Sequence, residues 1–262
     1  MIIDAHAHVT RADYGSIDRL SALMDKHGID KAVLFPGGMI DVRQMSQYVR
    51  GAATADTDQI PNDLVESIFT KDRDRYFGFY CVNPNSAGDS TAAFRAAIAR
   101  GFSGLKLAPI VHKFALCSEG VFELARACGE LRVPLYSHVV FSPGATTEKF
   151  GELAKAFPDT QFILGHMGFG PADVQAIEVA ATCDNVMLET SGGSFMIIKM
   201  ALERLGAGKL IYGSEFPMQH PHVELEKIRM TAGGEDFKKI SSRNLLSLFE
   251  QRKLPQSVEL SQ

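Results

Sequence analysis

The sequence predicts an α/β protein folded as a single-domain (β/α)8 barrel over residues 1–250. Eight short β-branched or aliphatic runs alternate with amphipathic stretches along the chain, and such alternation implies βαβ units and a parallel sheet. The length, 262 residues, suits the roughly 250 that eight such units need. No glycine-rich phosphate loop follows the first run, which disfavours the competing doubly wound open sheet.

The strand runs are 2–9 (IIDAHAHV), 31–36 (KAVLFP), 76–82 (YFGFYCV), 104–109 (GLKLAP), 133–139 (VPLYSHV), 161–167 (QFILGHM), 186–191 (VMLETS) and 209–215 (KLIYGSE). Helical patterns fall near 15–27, 43–70, 87–100, 118–130, 145–157, 171–182, 194–205 and 220–231. Residues 37–73 form the longest segment between strands. In a barrel they lie on the active-site face, where a long connection serves equally as a lid or as a surface excursion. The tail from 234 reads as a helix (EDFKKISSRNLLSLFEQ), with a polar terminus at 251–262.

Hydrophobic residues make up 45% and charged residues 22%, an ordinary soluble balance. A net charge of −4 gives no basic footprint for nucleic acid. No apolar run reaches the roughly 20 residues of a membrane span, and MIIDAHAH does not resemble a secretory signal. Cys81, Cys117, Cys128 and Cys183 form no C-x-x-C pair, which suggests reduced structural thiols in a cytoplasmic protein.

Chemistry-bearing residues gather at one end of the strands. In Asp4-Ala5-His6-Ala7-His8, alternation places His6 and His8 on one face, where two imidazoles can hold a divalent ion. His138 and His166 close the fifth and sixth runs, and Glu215 closes the eighth. This is the end at which barrel enzymes assemble their sites. Random core histidines would show no such bias. Glu215 would complete a three-histidine, one-carboxylate shell with an open position, or sit in a salt bridge. Lys106 in Gly-Leu-Lys-Leu faces the interior if Leu105 and Leu107 face the helices. Three roles are open to it: binding an anionic substrate group, a structural ion pair with Glu215, Asp4 or Glu189, or carboxylation to bridge two metals. Arg43 is a second candidate for a substrate carboxylate. His112, His220 and His222 are loop histidines, more often solvated than functional. Tyr136 and Glu189 line the interior, and Glu189 could support a ligand histidine.

The set D-A-H-A-H, G-L-K-L, S-H, G-H-M-G and Y-G-S-E-F-P resembles the amidohydrolase superfamily. Within it the likeness is to the amidohydrolase-related type 2 branch of small metal-dependent TIM barrels, which also contains nonoxidative decarboxylases. The likeness runs from residue 2 to about 250 and includes the closing K-I-S-S-R-N-L-L-S-L-F. It implies His6, His8 and His138 as metal ligands, His166 as a group that contacts substrate or moves protons, and Lys106 where binuclear relatives carry a carboxylated lysine. Glu215 stands where the family has aspartate, and Ala108 where relatives commonly show histidine; His112 is the nearest replacement.

The expected protein is a metal-dependent hydrolase. One divalent ion per chain, zinc before manganese, would activate water against an amide, ester or lactone of a small carboxylate-bearing substrate. In that scheme Glu215 acts as ligand or base, His166 as acid, and Lys106, Arg43 and His112 bind substrate. Nonoxidative decarboxylation on the same scaffold is the first alternative, and a non-catalytic barrel with a degraded metal site the second. The likeness also implies a homodimer.

Overall fold

The computed structural model describes residues 1–55 and 59–250. Eight parallel strands follow one another in chain order: β1 (Ile3–Val9), β2 (Lys31–Pro36), β3 (Tyr76–Cys81), β4 (Gly104–Leu107), β5 (Leu135–Ser137), β6 (Phe162–Leu164), β7 (Val186–Glu189) and β8 (Leu210–Ile211). The seam between β1 and the chain leaving β8 is closed by backbone hydrogen bonds. Ala5 N–H donates to Tyr212 O at 3.0 Å, Glu215 N–H to His6 O at 2.6 Å and His8 N–H to Phe216 O at 2.7 Å.

The helices are α1 (Ile17–His27), α2 (Met45–Val49), α3 (Asn62–Phe69), α4 (Ser90–Arg100), α5 (Pro109–His112), α6 (Glu119–Leu131), α7 (Thr147–Ala156), α8 (Val174–Thr182), α9 (Phe195–Leu205), α10 (Pro221–Thr231), α11 (Gly234–Lys238) and α12 (Asn244–Glu250). Side-chain caps start several of them: Ser16 for α1, Asp89 for α4, Thr146 for α7, Asp173 for α8 and Ser194 for α9. Each satisfies a backbone N–H that the first helical turn leaves unpaired.

Strand alternation divides the core into two layers. Leu34, Leu105, Leu107, Leu135, Leu164 and Leu188 face outward into the layer shared with the helices. Ile3, Ala5, Val33, Phe35, Phe79, Tyr136, Ile163 and Ile211 fill the barrel interior, together with Leu245 and Leu248 from α12. The Phe249 ring lies 4.9 Å from Phe77 and 6.2 Å from Phe79, so α12 plugs the end of the barrel opposite the histidines.

Two expectations change. The continuous helical pattern at 43–70 is not one helix. After a 3-10 turn (Val42–Gln44), α2 ends before Gly51, which takes φ 71, and α3 begins only after Pro61. A left-handed glycine stops a helix. The strands also end earlier than the apolar runs suggest, so His138, His166 and Glu215 lie just beyond β5, β6 and β8. The polar terminus at 251–262 lies outside the described residues.

Candidate metal centre and active site

At the C-terminal ends of the strands lies a cavity of about 400 Å³. His8, Lys106, His138, His166, Glu215 and Cys81 supply its polar wall, and Met39, Ile110, Val140 and Phe169 are among its apolar residues. Gly37, Gly38, Ile40, Val42 and Met45 also line it, so the first part of the 37–73 segment forms one side.

The His6 and His8 rings meet Nε2 to Nε2 at 3.0 Å. His8 Nδ1 donates to the Pro36 carbonyl at 3.2 Å, because a carbonyl can only accept, and Nε2 is left as a bare lone pair. His6 Nδ1 lies 2.8 Å from the Tyr136 hydroxyl and 3.4 Å from Glu189 Oε2, which turns its Nε2 toward His8. Two imidazole lone pairs face to face repel unless a cation lies between them. Nitrogens bound at roughly 2.0–2.1 Å to one ion can stand this far apart, so the pair fits a metal.

Burial holds His6, His138 and His166 well below the usual histidine range, with the Lys106 charge adding to the effect, and takes His8 to about 3 for the same two reasons. All four are therefore neutral near pH 7.

The other predicted ligands are placed differently. His138 Nε2 accepts the Ile110 N–H at 3.1 Å, so that lone pair is already used. Glu215, at φ 56, carries Oε2 to 3.5 Å from His166 Nδ1. Burial, and next the neighbouring Glu189 charge, push its carboxyl up to about 8. Among the described residues, the one trio of ligand atoms within 4.8 Å of one another comes from His6, His166 and Glu189. His138 and Glu215 share the cavity wall without joining that spacing.

Lys106 is 2% exposed, and its Nζ has no hydrogen-bond partner among the described residues. No carboxylate among the described residues pairs with it, so the ion pair with Glu215, Asp4 or Glu189 is not formed. Its ammonium sits 4.0 Å from the centre of the Tyr136 ring and 5.0 Å from that of Phe35. Burial lowers its pKa to about 8. Beside it on β3, burial pushes the Cys81 thiol up to about 12.

Arg43 does not reach the cavity. Asp41 takes its guanidinium through Nε at 2.9 Å and Nη2 at 2.8 Å, and the group lies over Tyr14 beside a smaller side pocket. His112 is also absent from the cavity wall: α5 turns it inward, 5% exposed, and burial lowers its pKa to about 4. His222 stacks on His27 and His220 meets it edge-on, between α1 and α10.

Sequence reasoning missed Ser191 and Ser214. Ser191 N–H and hydroxyl both donate to Glu189, at 2.6 and 2.9 Å. Ser214 N–H and hydroxyl donate to Asp4, at 2.8 and 2.5 Å, tying β1 to the chain after β8. Glu189 and Ser191 repeat the i, i+2 polar spacing of His6 and His8, and that was the available signal.

Fold and site together define a (β/α)8 barrel with a histidine-rich mouth. The amidohydrolase family model matches residues 3–244, and the chain belongs to that family. No curated protein sequence matches it. Solved structures share the fold. An uncharacterised TIM-barrel protein of Bordetella bronchiseptica is 14% identical, with a TM-score of 0.76 over 96% of this chain and 99% of that one. A 5-carboxyvanillate decarboxylase of Novosphingobium aromaticivorans, complexed with manganese and 4-hydroxy-3-methoxy-5-nitrobenzoic acid, is 18% identical, with a TM-score of 0.70 over 95% and 96%. A probable 2-pyrone-4,6-dicarboxylic acid hydrolase of Acinetobacter baumannii, with citric acid bound, is 16% identical, with a TM-score of 0.68 over 95% and 99%.

Proposed function

We propose that the protein is a divalent-metal-dependent enzyme that decarboxylates a small, largely apolar organic acid without an oxidant. The unpaired Lys106 ammonium, buried in a mainly apolar cavity that His8 also lines, carries this reading. A buried charge needs a partner, and an anionic substrate supplies it. The decarboxylase neighbour, with manganese and a nitrobenzoic acid, supports the choice.

His6 and His8 would hold the ion, with Glu215 on the same wall as a further donor. Zinc suits imidazole, and manganese is the alternative. When bound, the ion supplies positive charge that orients the acid and stabilises the electron pair left on carbon. Lys106 pairs with the substrate's negative charge. Met39, Ile110, Val140 and Phe169 hold its apolar body and keep water away. The carbon–carboxylate bond breaks, CO2 leaves, and the vacated carbon takes a proton. Glu215 lines the cavity and is placed to deliver it, with the His166 ring 3.5 Å away. Residues 37–45 cover the bound acid from one side.

Hydrolysis is the second reading, favoured by the same Glu215–His166 contact, which can also take a proton from water. The test is turnover by metal-loaded protein in D2O against panels of aryl and unsaturated monocarboxylic acids and of esters, amides and lactones. Decarboxylation predicts CO2 release with one deuterium at the vacated carbon. Ester, amide or lactone turnover without CO2 would refute it in favour of hydrolysis.

A further inference from the structure

We infer that Glu189 is a positioning residue that sets the protonation pattern of two histidines at once, His6 and His166, through two separate hydroxyl relays. Its carboxylate is fully buried at the end of β7. Oε1 accepts the Ser191 N–H at 2.6 Å. Oε2 accepts the Tyr136 hydroxyl at 2.7 Å, the Ser191 hydroxyl at 2.9 Å and the His166 N–H at 3.3 Å.

Each hydroxyl has one proton, and each gives it to Glu189. The Tyr136 oxygen can therefore only accept from His6 Nδ1, 2.8 Å away. The Ser191 oxygen can only accept from His166 Nδ1, 3.0 Å away. Both imidazoles must then carry their proton on Nδ1 and present Nε2 as a lone pair. His8 reaches the same state independently, through Pro36. One carboxylate thus keeps His6 in the form that can share an ion with His8. It also keeps His166, on a different strand end, in the matching form.

The surrounding backbone leaves room for this arrangement. A methyl group on Gly165 would strike the Tyr136 hydroxyl, and one on Gly213 would strike the Glu189 carboxylate. Both glycines belong to motifs that the histidine pattern alone leaves unexplained, G-H-M-G and Y-G-S-E.

Glu189→Leu is the decisive perturbation. It removes the oxygens that take both hydroxyl protons, so Tyr136 can donate to His6 Nδ1, Ser191 can donate to His166 Nδ1, and both rings are free to move their proton to Nε2. Two-bond 1H–15N spectra of the full-length, metal-depleted protein labelled at histidine read this directly. Wild type is expected to show His6 and His166 protonated on Nδ1, and Glu189→Leu to show both protonated on Nε2. Ser191→Ala should release His166 alone, and Ser191→Thr should restore it. If Glu189→Leu does not fold, wild type and the two Ser191 variants still decide the matter.

Metal titration adds a second measurement. The Glu189→Leu protein should bind Zn2+ about 10–100-fold more weakly, because His6 no longer offers a lone pair beside His8. This arm rests on the metal reading above; the spectra do not, so the two can fail separately. Wild-type rings protonated on Nε2, Glu189→Leu rings that stay on Nδ1 or change singly, or a His6 shift in Ser191→Ala would overturn the inference.

Discussion

Lys106→Met is expected to make the metal-free protein more stable while weakening its hold on an anion. Burial takes the lysine from 10.5 to about 8. At about 1.4 kcal/mol for each tenfold step, keeping the ammonium inside costs roughly 3 kcal/mol at pH 7, where it is charged in both the folded and the unfolded chain. The aromatic faces of Tyr136 and Phe35 return about 0.5–2 kcal/mol of that. Methionine fills a similar volume without charge, so the net gain is about 1–2.5 kcal/mol, a rise in Tm of roughly 2–10 °C at 2–4 °C per kcal/mol. The sign with pH follows from the lowered pKa. Below pH 8 the wild-type penalty is fully present. As pH rises from 8 towards 10.5 the folded lysine loses its proton before the unfolded one, wild type gains stability, and the difference between the two proteins closes. Calorimetry on chelator-treated protein from pH 6.5 to 10 measures this. A variant that melts at or below wild type at pH 7, or whose Tm runs parallel to wild type through pH 8–10, would refute the assignment of Lys106 as a desolvated, unpaired cation.

His6→Ala should leave the barrel folded but strip bound zinc or manganese to a small fraction of wild type by elemental analysis; equal metal content in both proteins would remove His6 from the ligand set. Gly165→Ala should cost about 1–3 kcal/mol in urea unfolding, because the added methyl meets the Tyr136 hydroxyl in a filled interior, and an unchanged midpoint would show that the ring can yield. Leu248→Ala, which opens space where α12 enters the barrel, should cost about 2–5 kcal/mol while leaving metal binding intact. Loss of both together would mean that the plug also shapes the opposite end.

His6 and His8 are readable from sequence because both lie within β1, where alternation fixes their direction. His166 is not readable in the same way. It stands in a 3-10 turn beyond β6 at φ 62, so period-two reasoning has no hold on it, and its ring is oriented by Ser191. Lys106 shows the reverse: alternation puts it inside correctly, yet the choice between ion pair and anion site depended on carboxylates brought near from β7 and the chain after β8. Arg43 appeared available because its partner is only two residues away, and spacing does not say whether a short Asp41 side chain will fold back onto it. The barrel itself was legible because every strand run carries its own apolar face, a local property, whereas relays such as Tyr136–Glu189–Ser191 exist only once three strands are neighbours.

With Leu245, Leu248 and Phe249 corking the far end, the reaction chamber is a blind well. Among the described residues, the cavity opens at the C-terminal ends of the strands and the foot of the barrel is filled. Traffic in both directions must pass the rim made by the chain after β2 and by Phe169 after β6.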